Sequence, residues 1–271
     1  MILQFGTGNF LRAFADLFVE ELDRGNKTPI GPVVAVQSTG CERAEAIHAA
    51  RGRYHVAVQG FQDGRVVDET VRVNSLREAF FAGTQWEEVL ETARQPDLVA
   101  MLSNTTEAGL ALDERDAGPW ALNTPSRVTD PAHSLAPHSF PAKLLACLRA
   151  RFEAGQAGCW IVPCELVEGN GDRLRALVLQ QARLWNLEGD LTHWIETECR
   201  WVNTLVDRIV PGAPKSHPLL GVDPLLVSCE PFAFWAVETT RDDFPFARHQ
   251  AVVIAPDIAP YTLRKVRVLN G

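Results

Sequence analysis

Apolar positions fall into two kinds of run, short continuous ones and longer ones at helical spacing. Ile2 to Phe5 is a short apolar run that ends at Gly6. Behind Gly8, residues 10–22 place Phe10, Leu11, Phe14, Leu17, Phe18 and Leu22 on one helical stripe. Residues 33–37, after Pro32, read as a buried parallel strand. Residues 41–50 predict a helix stopped by Gly52, and 54–59 and 65–73 predict strands turned at Asp63-Gly64. Residues 86–94 are helical and 98–102 form another buried strand. Residues 113–138, rich in Pro, Asp and Ser, predict a long loop. Ser139 then caps a helix running to about Ala154, with Pro141 in its first turn. A strand over 159–164, helices over 172–184 and 191–200, and strands over 225–229, 232–237 and 251–255 complete the pattern. Residues 205–210 carry Asp207-Arg208 between apolar neighbours and predict a part-buried charge pair. Strands alternating with helices predict an α/β fold with a mainly parallel sheet and one extra β-hairpin.

Strand, glycine turn and helix open a dinucleotide-binding unit. Gly6 permits the tight turn, and Gly8 lets a diphosphate approach backbone that a Cβ would shield. The first N–H groups and the positive end of the helix then face the phosphates. Phe5, Gly6, Thr7, Gly8, Asn9, Phe10, Leu11 and Arg12 are the candidate cofactor loop. A full fingerprint has a third Gly where this chain has Leu11, so the helix should stand further from the strand. An ordinary βα turn is the alternative. An acidic residue commonly ends the second strand of an NAD-binding unit and holds the ribose hydroxyls. Gln37 or Ser38 stands there instead. Gln bonds a hydroxyl but neither repels nor pairs with a 2′-phosphate, which favours NAD without excluding NADP. Ser103 to Gly109 follows a buried strand and belongs at the carboxyl edge of the sheet, making Asn104 and Thr105 candidate cofactor contacts. Taken locally, Glu107 is a solvated loop carboxylate, Asn170-Gly171 is turn chemistry, and Arg264, Lys265 and Arg267 are a solvated helix face.

Composition narrows the classes. With 271 residues the chain forms one large domain or two small ones. Twenty-six basic against 34 acidic groups give a net charge of −8. That argues against a general nucleic-acid binder and requires a local basic cluster for any anionic ligand. Six cysteines without a Cys-x-x-Cys pair read as reduced thiols, and no pair among seven histidines has metal-ligand spacing. Arg12 and Asp16 interrupt the first apolar run, so it is no signal peptide, and no run is long enough to span a membrane. The cytoplasm is the expected compartment.

Six stretches, in order along the chain, carry a family resemblance: QFGTGNFLRAF, SNTTEAG, SFPAKL, IVPCELVEGNGDRLRALVL, NTLVDRIVPG and PYTLRKVRVLNG. With them the chain resembles the metal-independent, long-chain polyol dehydrogenases of the mannitol dehydrogenase family. That family's signature, Gly-x-Gly-x-Phe-x-Arg, is matched by Gly6, Gly8, Phe10 and Arg12 and accounts for the missing third Gly. The resemblance implies a Rossmann-like doubly wound sheet and NAD-dependent hydride transfer on a small sugar acid or polyol. It also implies Lys265 as general acid/base, Asn270 and Asn170 flanking the reacting oxygen, and Glu107 passing the proton to solvent. Asp207 and Arg208 take supporting roles. A Lys serves as base when burial and cationic neighbours lower its pKa, and Arg264 and Arg267 are the neighbours at hand. Amides at the developing alkoxide contribute roughly 3 kcal/mol per donor in other enzymes.

PCELVEGNG and NTLVDRIVPG favour the branch interconverting D-altronate and D-tagaturonate over mannitol or fructuronate enzymes. The family's catalytic motif is Lys-x-x-x-x-Asn-x-x-His, whereas the sequence stops at Gly271, two residues before the His. The family continues into a helical C-terminal domain that closes over substrate. Residues 1–271 are therefore expected to be the NAD-binding domain of a truncated form. The alternative is a domain that binds NAD with little activity alone. A methyl-donor-binding fold on the same glycine turn is a further alternative, against which the tail around Lys265 and Asn270 speaks.

Overall fold

The computed structural model describes residues 1–25, 28–105, 109–118 and 136–262. In chain order the elements are β1 (Ile2–Phe5), α1 (Asn9–Arg12), α2 (Ala15–Asp23), β2 (Val33–Gln37), α3 (Glu42–Ala49), β3 (Tyr54–Gln62), β4 (Arg65–Val73) and β5 (Leu76–Phe81). They continue as α4 (Trp86–Ala93), β6 (Ala100–Ser103), α5 (Phe140–Glu153), β7 (Trp160–Pro163), α6 (Asn170–Leu184) and α7 (Asp190–Thr197). The last are β8 (Arg200–Trp201), β9 (Asn203–Asp207), β10 (Val227–Cys229), β11 (Phe234–Glu238) and β12 (Val252–Ala255).

The central sheet runs β5-β2-β1-β6-β7-β8, and every pairing in it is parallel. Counted along the chain this is the Rossmann order 3-2-1-4-5-6. The order reverses between β1 and β6, where Phe5 stands beside Ser103. Alternate residues feed two cores, because successive side chains of a strand point to opposite faces. Ile2, Val33, Ala35, Ala100 and Leu102 pack with α2, α3 and the two smaller sheets. Leu3, Phe5, Val34, Val36 and Met101 pack with α4, α5, α6 and α7. Helices on both faces make the sheet doubly wound.

The extra hairpin is β3 with β4, paired from Tyr54↔Val73 to Gln62↔Arg65. Its turn residues Asp63 and Gly64 both take positive φ, as a two-residue hairpin turn requires. β10 adds to β3 in parallel, and β11 joins β9 and β12 in a third sheet.

Three sequence readings need correction. The run 10–22 is not one helix: it breaks at Phe14, whose φ of −128° and ψ of −89° are not helical. The Arg12 carbonyl accepts the Tyr54 hydroxyl at 2.6 Å, and the Ala13 carbonyl accepts Arg208 Nη1 at 2.9 Å. Tertiary donors thus take over both carbonyls at the break. β5, β8 and β9 were not anticipated, and the predicted helix over 191–200 ends at Thr197 with β8 beyond it. Asp207 and Arg208 form no ion pair among the described residues. Instead the Arg208 guanidinium donates to the Glu230 carbonyl at 2.9 and 3.0 Å and to Ala13.

Candidate functional site

Three cavities follow one another along the carboxyl edge of the central sheet. The first, about 480 Å3, lies at the switch point between the glycine loop, the end of β2 and the start of α5. It shares Asn104 with a second of about 250 Å3, lined by Phe10, Asp207 and Arg208. That one shares Leu166 and Val206 with a third of about 390 Å3, bounded by Glu165, Glu168, Glu238 and Asp257. Ligands of open α/β sheets bind outside the carboxyl ends of the strands at such a reversal.

The two glycines of the loop have different reasons. Gly6 has φ +128°, and a Cβ there would lie 3.1 Å from Leu11 Cδ1 and 3.3 Å from the Asn104 carbonyl. Leu11, 1 % exposed, fills the position of the absent third glycine and packs directly on the turn. Gly8 has ordinary extended angles, φ −67° and ψ 168°, and its Cβ would meet nothing within 4 Å. Neither backbone nor neighbours require glycine at position 8, and without a side chain there the loop is open toward the cavity; the Gly6 N–H is already spent on the Val36 carbonyl at 3.0 Å. These features fit a diphosphate held against backbone N–H groups. Because α1 is a single turn, the axial dipole of a long helix is not aimed at the loop. The loop's own N–H groups supply the positive potential.

Phe5, Gly6, Thr7, Gly8, Gln37, Asn104 and Thr105 line the first cavity, and Phe10 lines the second. Asn9, Leu11 and Arg12 line neither. Arg12 is 1 % exposed behind the loop. It donates to the carbonyl of Thr7 at 3.3 Å, to Asn9 Oδ1 at 2.6 Å and to the carbonyl of Leu225. Arg12 therefore positions the loop and is not placed to touch a ligand. Gln37 is likewise committed: its Oε1 accepts from Ala44 N at 2.6 Å and its Nε2 donates to the Thr39 carbonyl at 2.9 Å. It thereby caps α3, using one of its two N–H donors.

Between the first and third cavities stands Glu165, which sequence reasoning did not assign. It is 2 % exposed. Its carboxylate accepts from Ser103 Oγ at 3.1 Å, Thr105 N at 2.8 Å and Thr105 Oγ1 at 3.1 Å. Burial pushes its pKa up, against the pull of those donors. Asn104 Nδ2 donates to the Cys164 carbonyl at 2.7 Å, which joins the ends of β6 and β7. Asn170, fully buried, is turned inward. Its Nδ2 donates to the carbonyls of Glu165 and Thr204 at 3.0 and 3.1 Å, and its Oδ1 accepts from Thr204 N at 2.9 Å. This amide ties β7, α6 and β9 together and has no donor left for a reacting oxygen, so its expected place beside that oxygen is corrected. Glu107, Lys265 and Asn270 lie outside the described residues.

Lys143 was also missed. It lines the first cavity while only 4 % exposed, and burial pushes its ammonium down to about 8. The motifs SFPAKL and PCELVEGNG contained Lys143 and Glu165, yet nothing local distinguishes them from a helix-face lysine and a turn glutamate. Among the described residues no group of His, Cys, Asp and Glu has the arrangement to hold a metal ion. No described helix is long and apolar enough to cross a membrane. All six thiols are free, and five are buried.

The family model described as the mannitol dehydrogenase Rossmann domain matches residues 1–245. The chain is 37% identical, along its whole length, to an altronate oxidoreductase of Bacillus subtilis (strain 168), of which it covers 56%. It is 36% identical to an altronate oxidoreductase of Halalkalibacterium halodurans, of which it covers 52%. It thus spans about half the length of the curated relatives it matches. A structure of D-sorbitol dehydrogenase in substrate-free form superposes over 99% of this chain and 56% of that one, with TM-score 0.78 at 25% identity. Mannitol 2-dehydrogenase of Pseudomonas fluorescens, solved as a ternary complex with NAD and D-mannitol, shares the fold at TM-score 0.79 and 23% identity, over 98% of this chain and 55% of that one. With a family match over 245 of its 271 residues, a doubly wound sheet in Rossmann order and a bare glycine loop at its switch point, the chain belongs to the mannitol dehydrogenase family.

Proposed function

We propose that the chain binds NAD along the carboxyl edge of the sheet and serves hydride transfer between D-altronate and D-tagaturonate. One observation carries the cofactor reading: Gly8 is glycine without structural need, beside open space at the switch point. The substrate reading is supported by relatives named altronate oxidoreductase. When bound, NAD supplies the acceptor for the hydride. The chain's own part is to hold it with the loop from Phe5 to Gly8 and with Asn104 and Thr105, and to move the hydroxyl proton through Lys265. Asn270 steadies the developing alkoxide, and Glu107 relays the proton outward. Asn170, Asp207 and Arg208 act at one remove, by fixing the strands and loops that wall the cavities.

Loss of NADH absorbance with tagaturonate, alongside calorimetry with NAD, tests both parts. Tight NAD binding with turnover supports the whole reading. Mannitol or fructuronate turned over in preference would overturn the substrate. A second reading, NAD binding without turnover by this chain alone, is favoured by its spanning about half the length of its relatives. Binding with no loss of NADH would select it. Binding of S-adenosylmethionine in place of NAD would sink both.

A further inference from the structure

The glycine loop faces the first cavity from one side of the sheet edge, since α1 packs in the core shared with α2 and α3. On the opposite side stands α5, in the other core, with Phe140 against Phe5 at a ring distance of 5.2 Å. The cation in the first turn of α5 is Lys143. An ammonium has three donors. Among the described residues one is used, on the carbonyl of His138 at 2.6 Å, and His138 also lines the cavity. Among the described residues no carboxylate lies within ion-pair distance of it. The two acids that act on it electrostatically, Asp116 and Asp113, are engaged elsewhere. Asp116 accepts from His138 N at 2.8 Å, Ser139 N at 2.7 Å and Ser139 Oγ at 2.8 Å. Asp113 is paired with Arg115 at 2.6 Å. A buried cation without an anion is unfavourable unless a ligand supplies one. In a chain of net charge −8, a cation held at the cavity wall is also the local basic group that an anionic ligand needs.

Resting on the cofactor reading above, we propose that Lys143 is a phosphate-binding residue: it contacts the dinucleotide's diphosphate from α5, opposite the glycine loop, so that the anion is clamped between loop amides and an ammonium. Its lowered pKa has burial as the largest cause, and an arriving phosphate would raise it again.

The test uses ADP, NAD and adenosine as ligands for the wild-type chain, Lys143→Met and Lys143→Gln, with thermal melting to check folding. ADP and NAD should bind the variants about tenfold to a hundredfold more weakly, the loss associated with a buried charge-assisted hydrogen bond. Adenosine, which lacks phosphate, should bind within about twofold of wild type, since its contacts do not include the ammonium. Salt should weaken ADP binding to the wild type more steeply than to either variant. Unchanged ADP affinity in a folded variant would overturn the assignment. So would an equal loss for adenosine and ADP, which would mark Lys143 as a strut for the His138 loop. If wild type binds neither NAD nor ADP, the cofactor reading falls and this assignment with it. If wild type binds both and the variants match it, only the assignment falls.

Discussion

Gly8 and Gly6 separate ligand room from backbone need. Replacing Gly8 by Val puts a side chain into empty space at ordinary dihedrals. The expected outcome is stability within about 0.5 kcal/mol of wild type and NAD affinity reduced by about tenfold or more. Calorimetry and urea unfolding on the same protein measure both, and unchanged affinity would remove the phosphate from this loop. Gly6→Ala differs, because φ +128° and the Asn104 carbonyl at 3.3 Å oppose a Cβ in the fold itself. It should lower stability by about 1–3 kcal/mol with or without ligand.

Asp16 lies behind the same loop, fully buried, with its pKa pushed up to about 7 chiefly by desolvation. Arg12, and hydrogen bonds with Gln4 and Tyr54, pull it the other way. Among the described residues its Oδ1 has no hydrogen-bond partner, so nothing there compensates a negative charge. Unfolded, the group titrates near 3.8, so the native chain holds a proton that the unfolded chain releases. Stability from Asp16 is therefore full below about pH 4, falls as pH rises to about 7 and is level beyond. Urea midpoints at about pH 5 and about pH 8 should differ more in wild type than in Asp16→Asn, and equal differences would place the titration elsewhere.

At the scale of elements, the helix break at Phe14 swings α2 onto an aromatic cluster. Phe14, Phe18, Phe244 and Phe246 surround Trp235 with ring centroids 4.8–6.2 Å away. Trp235 is fully buried, and its Nε1 has no acceptor among the described residues. Trp235→Ala should destabilise the fold by about 3–5 kcal/mol in denaturant titration. Trp235→Phe, which removes the orphaned N–H and keeps most contacts, should come within about 1.5 kcal/mol of wild type. If the two variants are alike, the cluster does not hold the third sheet to the first.

Elements with an unmixed pattern were legible. β2 is a run of small and branched apolar residues, and α5 has Ser139 at its cap, accepting from Ala142 N at 3.3 Å. β5 was not legible, because Arg77 and Glu78 interrupt its apolar positions at the sheet's edge. The break in the first helix depends on Tyr54 and Arg208, distant in sequence, which no window around residue 14 contains. The glycine loop could be read because turn chemistry is local. Glu165 and Lys143 could not, since their burial comes from the assembled fold.

For the molecule as a whole, the carboxyl edge is a row of compartments with unlike electrostatics. The first has Lys143 and the loop amides, with one carboxylate, Asp113, paired to Arg115, whereas the third is bordered by Glu165, Glu168, Glu238 and Asp257. A dinucleotide phosphate suits the first, and an anionic substrate in the third would need cations from outside the described residues. The membership of Phe140 and Phe5 in one core, and of Phe14 and Trp235 in the other, means that the two sides of the edge are stabilised separately.

The placement of β1 has a consequence for biosynthesis. It leaves the ribosome before both of its neighbours, yet it occupies the middle of the sheet, with β2 on one side and β6 on the other. β2 follows within some thirty residues, but Ala100, the partner of Ile2, emerges almost a hundred residues after it. At about 5–20 residues per second, the inner flank of a nascent apolar strand waits roughly 5–20 s for its neighbour. The strand that leads into the glycine loop is thus also the one a growing chain must shield longest, and chaperone dependence during translation should concentrate on nascent chains too short to include β6.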